Sequence, residues 1–173
     1  MLITGSPSKT TKLPLSLLPP PFGLDGLFKI NNLWGRYDEC IPNFRELYRE
    51  DGTVLNCTLK GKERHYILSI SGIDNREKAK EISGEWLYCE SSVIINSCKY
   101  LEQYFVYFTL NFTCYYQNND YLGQVVDVKN YGGGDILQII NQKKEYLVLF
   151  TCDFINSIDF KEKTITLVGS CAL

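Results

Sequence analysis

Residues 66–89, YILSISGIDNREKAKEISGEWLYC, set the fold. Ile67, Ser69 and Ser71 alternate with Leu68, Ile70 and Gly72, the period-two pattern of a half-buried strand. Asp74 stands three residues before Glu77, a spacing in which each side chain takes an orphan amide at a helix start. NREKAKEI is rich in helix formers, and Gly84 follows where a left-handed terminating residue is wanted. Trp86, Leu87 and Tyr88 resume strand character. A helix of about two turns cannot stand alone. Its apolar side is only Ala79 and Ile82, so it suits the end of a small barrel.

Working outward from this unit, residues 1–21 are expected to be an irregular tail or a first edge strand, because three prolines at 19–21 cannot donate to a central ladder. Leu27–Trp34 reads as a strand and Gly35–Phe44 as a loop. Glu46–Glu50 and Val54–Leu59 form a hairpin around Asp51-Gly52, and Gly61–Arg64 make the next turn. Residues 22–92 thus make a domain of about six strands with one short helix, a small closed barrel. The stretch 90–103, with Ser91, Ser92, Asn96, Ser97 and Lys99, holds the expected linker, 93–103, to a second domain over 104–173. That domain opens with Tyr104–Tyr116, YFVYFTLNFTCYY, read as a strand with Tyr104, Val106 and Phe108 on one face and Phe105 and Tyr107 on the other. Leu122–Lys129, Ile136–Ile140, Tyr146–Phe150 and Thr164–Val168 complete five strands at hairpin spacing, a second small barrel or curled sheet.

Composition limits what such a chain can do. With 45% hydrophobic and 13% aromatic residues, 173 residues can bury two cores rich in β structure. The net charge is −2; residues 23–92 carry 10 basic and 12 acidic side chains, residues 93–173 carry 6 and 8. Neither stretch has the positive excess of a domain that grips phosphates, so the expected main contact is protein rather than naked RNA. No stretch reaches the ~18 unbroken apolar residues of a membrane helix, and LPLSLLPPP at 13–21 is no signal peptide. A cytoplasmic protein is expected. The seven cysteines, Cys40, Cys57, Cys89, Cys98, Cys114, Cys152 and Cys171, lack zinc-site spacing and read as buried reduced thiols. No metal and no cofactor is expected.

Candidate chemistry is sparse. His65, the only histidine, has no nucleophile or orienting carboxylate beside it and reads as a turn-end residue. The pairs Asp38/Glu39 and Glu50/Asp51 read as loop and turn residues rather than acid–base machinery. Gly132-Gly133-Gly134-Asp135 precedes strand-like ILQII rather than a Lys-Ser/Thr helix start, so it reads as a tight hairpin rather than a phosphate cradle. Gly23 and Gly26 likewise read as a turn, because no dinucleotide fingerprint surrounds them. The rings of 104–116 are too many for one core, so some should reach the surface, where Tyr and Phe anchor partner proteins. Core packing is the competing reading.

Three strings resemble the RimM family. Gly72, Ile73, Arg76, Ala79, Glu81, Gly84, Leu87 and Tyr88 match its Gly-Ile-x-x-Arg turn, helix and Leu-Tyr strand. Phe22–Ile30 is similar to its early Gly-x-x-Gly turn, and Leu122–Val125 with Gly132–Leu137 to its second-domain hairpin. The resemblance implies a mainly β chain with a translation-factor-like N-terminal barrel and a C-terminal photosynthetic-reaction-centre-type (PRC) barrel. It implies a monomeric, non-enzymatic assembly chaperone that binds small-subunit ribosomal protein nineteen in the head of the 30S precursor and promotes 16S rRNA folding and processing. The family's contact pair of tyrosines falls on Tyr104 and Phe105, with Tyr107-Phe108 a rival placement; the second Tyr is Phe here. A general RNA-binding or partner-binding barrel outside ribosome assembly is the alternative.

Overall fold

A computed structural model describes residues 1–31, 33–35, 37–62 and 65–169. In chain order its strands are β1 (Leu2–Thr4), β2 (Lys12–Leu17), β3 (Pro21–Phe22), β4 (Leu27–Ile30), β5 (Glu46–Tyr48), β6 (Val54–Lys62), β7 (His65–Ile70), β8 (Trp86–Glu90), β9 (Thr113–Tyr116), β10 (Tyr121–Asn130), β11 (Asp135–Asn141), β12 (Lys144–Leu149), β13 (Ile155–Asp159) and β14 (Thr164–Leu167). Helix α1 is Arg76–Ile82 and α2 is Ser91–Ser97; 3-10 helices span Asp38–Asn43 and Leu101–Thr109. The chain is mainly β and forms two compact units, Lys9–Leu101 and Met1–Ser8 with Glu102–Leu173.

The unit Lys9–Leu101 is an antiparallel sheet in the order β2-β8-β5-β6-β7-β4-β3. Alternation built it: along β7, Tyr66, Leu68 and Ile70 are buried while His65 and Ser69 are exposed. Phe28, Leu47, Leu59, Leu87 and Leu13 are buried on the other strands. The first strand lies ahead of the prolines, where β2 pairs with β8 as a sheet edge that tolerates Pro14, with a register shift between Pro14 and Ser16. Around Asp51-Gly52 the Thr53 amide donates to Asp51 Oδ1 at 2.8 Å, closing the expected hairpin.

Three local readings are corrected. Asn75, not Asp74, caps α1: its Oδ1 accepts the Lys78 amide at 2.9 Å, while Asp74 pairs with Lys78 Nζ at 2.8 Å. Either acceptor suits a helix start, so spacing could not separate them. The stretch expected as a linker carries α2, whose Ile94 is buried and whose Ser91 Oγ accepts the Thr11 amide at 3.1 Å. The loop expected over 35–44 contains the 3-10 helix Asp38–Asn43. Parts of the expected turn at Gly61–Arg64 lie outside the described residues.

The second unit is a mixed sheet in the order β1-β13-β14-β9-β10-β11-β12, parallel at β1/β13 and at β14/β9. Cys114, Leu122, Val125, Leu137, Ile139, Val148, Ile155, Ile158, Ile165 and Leu167 fill its core. A bulge between Val125 and Asp127 leaves Val126 exposed. The expected strand over 104–116 is overturned: Leu101–Thr109 is 3-10 helix and only Thr113–Tyr116 is strand. A run apolar on both faces has no period to distinguish helix from strand. The Thr109 hydroxyl donates to the Val106 carbonyl at 2.6 Å at the helix end, and Asn111, at φ 68°, lies in the turn that follows. No helix among the described residues is long and apolar enough to cross a membrane.

Candidate protein-contact surface

The 3-10 helix turns most of its rings inward. Tyr104, Tyr107 and Phe108 are buried, with exposures of 5%, 2% and 5%, whereas Phe105 stays half-buried. The Phe105 ring meets Phe160 edge-on, with centroids 5.3 Å apart and planes at 66°. Phe112 meets the same Phe160 at 5.7 Å and 72°. Phe160, immediately after β13, is therefore the shared ring of a three-membered aromatic cluster, a geometry that adds to simple burial. Its backbone is pinned too, since the Phe160 amide donates to the Thr4 carbonyl of β1 at 2.9 Å.

Asp135 ties the helix to the glycine hairpin. Asp135 Oδ1 accepts Asn130 Nδ2 at 2.8 Å and the Tyr107 hydroxyl at a long 3.5 Å. Asn130 Oδ1 accepts the Gly132 amide at 2.8 Å, and Gly132 has φ 97°, which a side chain would oppose. This is turn chemistry, and it presents Tyr131 at the tip, 74% exposed. On the neighbouring strands Tyr115 and Tyr121 are cross-strand partners with rings 6.0 Å apart, and Tyr121 is exposed.

The sequence-predicted positions separate into distinct places. Tyr104 is a core ring and Phe105 a partly open one; the rival Tyr107 and Phe108 both lie inside. Gly23, Gly26, Gly72 and Gly84 are turn residues with φ of 73°, 70°, 84° and 86°. Gly26 is further constrained, because a Cβ there would lie 2.6 Å from the Ile73 carbonyl oxygen and 2.9 Å from the Asn75 nitrogen. The early glycine turn thus packs directly on the turn that starts α1. Phe160, Tyr121 and Tyr131 escaped sequence reading. Tyr131 could have been found as the residue held out by a glycine hairpin; Phe160 carries no periodic signal.

Elsewhere some titratable groups pair with one another and others are shielded by burial. In a groove of about 540 Å³ lined by Arg49, Glu85 and Trp86, the Arg49 guanidinium makes two 2.7 Å bonds to the Glu85 carboxylate, which hold its pKa above the usual value. His65 is exposed. Burial pushes the Cys57 thiol up to about 11 and Cys114 up to about 12, and raises Cys89 as well. Of the expected buried thiols, Cys40, Cys57, Cys89 and Cys114 are buried; Cys98 is half-buried and Cys152 exposed. Cys171 lies outside the described residues.

Comparison with known proteins gives these features a family. The RimM PRC barrel domain matches residues 108–170, starting just after Tyr104 and Phe105. A ribosome maturation factor RimM of Thermotoga petrophila is 30% identical over 136 residues, covering 74% of this chain and 75% of its own. That of Thermosipho melanesiensis is 28% identical over 171 residues, 90% of each chain. A solved Pseudomonas aeruginosa structure, described as a RimM 16S ribosomal RNA processing protein, aligns over 92% of this chain and 97% of its own, at 15% identity and a TM-score of 0.38. On the Thermotoga match and the C-terminal barrel, this chain belongs to the RimM family.

Proposed function

We propose that this protein is a ribosome maturation factor that acts as a non-enzymatic assembly chaperone on the small subunit. Its C-terminal unit binds small-subunit ribosomal protein nineteen in the head of the 30S precursor, as a monomer in the cytoplasm, and promotes 16S rRNA folding and processing. Family membership supports the coarse reading. The half-open Phe105, backed by Phe160 and Phe112, carries the finer one. The C-terminal unit holds 5 basic and 8 acidic residues, a balance suited to a cationic ribosomal protein rather than to phosphates. Tyr104 takes part from within, fixing the helix that carries Phe105. By holding the ribosomal protein, the factor favours the competent head arrangement in proportion to its preference for that state.

The test compares wild type with Phe105→Ala in capture of purified ribosomal protein nineteen and in comigration with 30S precursors. Phe105→Ala should weaken capture roughly tenfold or more with the fold intact, a typical cost for an interface anchor. Tyr104→Ala should unsettle the unit itself. Unchanged capture by Phe105→Ala would remove that ring from the contact, and no comigration of wild type would sink the assignment.

A further inference from the structure

We propose that β1 is a displaceable strap over a strand-docking edge on β13, and that an extended segment of the protein partner takes its place. This rests on the proposed protein-binding role and names the backbone surface through which it works. The strap is thinly held. It pairs in parallel over only three positions, Leu2 with Ser157, Ile3 with Ile158 and Thr4 with Asp159. Parallel pairing is the weaker kind, and β1 lies at the sheet's end. Met1 and Leu2 are 48% and 65% exposed, Thr4 is exposed and Ile3 is half-buried, leaving Pro7 as the one buried residue of the segment before Ser8.

With β1 in place, what lies beneath is also held from its far side. Ile155 and Ile158 are completely buried, and β13 pairs with β14 along its other side. Lifting β1 therefore bares a formed edge whose unpaired amides and carbonyls invite strand addition. The place matters as much as the chemistry. The Thr4 carbonyl accepts the amide of Phe160, and the chain at Gly5 (φ 76°) passes over that residue, a Cβ there lying 3.5 Å from Phe160 Cβ. Phe160 is the ring that supports Phe105. A partner strand entering in place of β1 would thus lie beside the aromatic anchor, at a turn where Asp159 and Glu162 balance Lys161 and Lys163, in a unit whose 5 basic and 8 acidic residues favour a cationic segment.

Two measurements on the full chain test this. In native-state hydrogen exchange, the Phe160 amide should exchange roughly a hundredfold faster than Ile165 in the sheet interior, as a locally opening edge does. A Leu2→Cys/Ser157→Cys pair, in a Cys152→Ser background, should lock the strap when oxidised, since paired strand positions approach within disulfide reach. Oxidation should weaken capture of ribosomal protein nineteen at least about tenfold, and reductant should restore it; deletion of residues 2–4 should preserve it. An oxidised lock that binds like its reduced form, or a Phe160 amide as slow as Ile165, overturns the strap while leaving the proposed function standing. Wild type that captures no ribosomal protein overturns the occupant through that function. A truncated chain that dimerises instead of binding hands the edge to a second copy and likewise overturns the partner.

Discussion

Asn75 shows how much one side chain contributes at a helix start. Its Oδ1 satisfies the Lys78 amide in a helix with only Ala79 fully buried. Asn75→Ala should lower the urea stability of the N-terminal unit by about 1 kcal/mol, the usual worth of such a cap. Asp74→Ala should leave it nearly unchanged, because the Asp74–Lys78 pair is solvent-exposed. Thiols follow burial in the same way. Among the described cysteines a disulfide reagent should modify Cys152 rapidly and Cys89 and Cys114 only on unfolding, since burial hides the last two and disfavours their thiolates. Early labelling of Cys114 would show that the C-terminal core opens. At this scale the sequence was legible where a residue's role is local: Gly84 stands just past α1 with positive φ. Phe160 was illegible, because its role depends on Phe105 and Phe112 reaching it from elsewhere in the chain.

The turn after β13 carries a pH dependence. Asp159 Oδ1 accepts the amides of Glu162 and Lys161, both at 2.9 Å, and these bonds, with one from the Thr4 side chain, hold its pKa below the usual carboxylate value. The folded state therefore binds a proton less readily than the unfolded chain. The turn's contribution is complete above the ordinary carboxylate range and is lost as pH falls through the depressed value. Asp159→Asn should consequently be less stable than wild type at neutral pH, with the gap closing in acid; parallel urea curves across that range read it out. A constant gap would assign the loss to packing instead. Elements with one wet face, such as β7 and β11, were readable because alternation encodes their orientation. The segment 101–109 was not, since rings on every side fit helix and strand alike. Strand β1 was invisible for another reason: its partner lies some 150 residues away in sequence.

Across the whole molecule, charge divides unevenly. Lys9–Leu101 carries 13 basic and 12 acidic residues, against 5 and 8 in the other unit. Association with a cationic protein should slow as salt rises while the dissociation rate changes little, the signature of steering; stopped-flow at several ionic strengths checks it, and a salt-independent association rate would remove charge from the account. The split of the chain into two β units was legible in its turn spacing. That the first eight residues join the C-terminal unit was not, and this has a consequence for biosynthesis. Leu2–Thr4 is polymerised some 150 residues ahead of its mate Ile155–Asp159. At roughly 5–20 residues per second, β1 waits on the order of ten seconds unmated. The N-terminal unit can finish folding within that interval, before the seam between β1 and β13 is able to close.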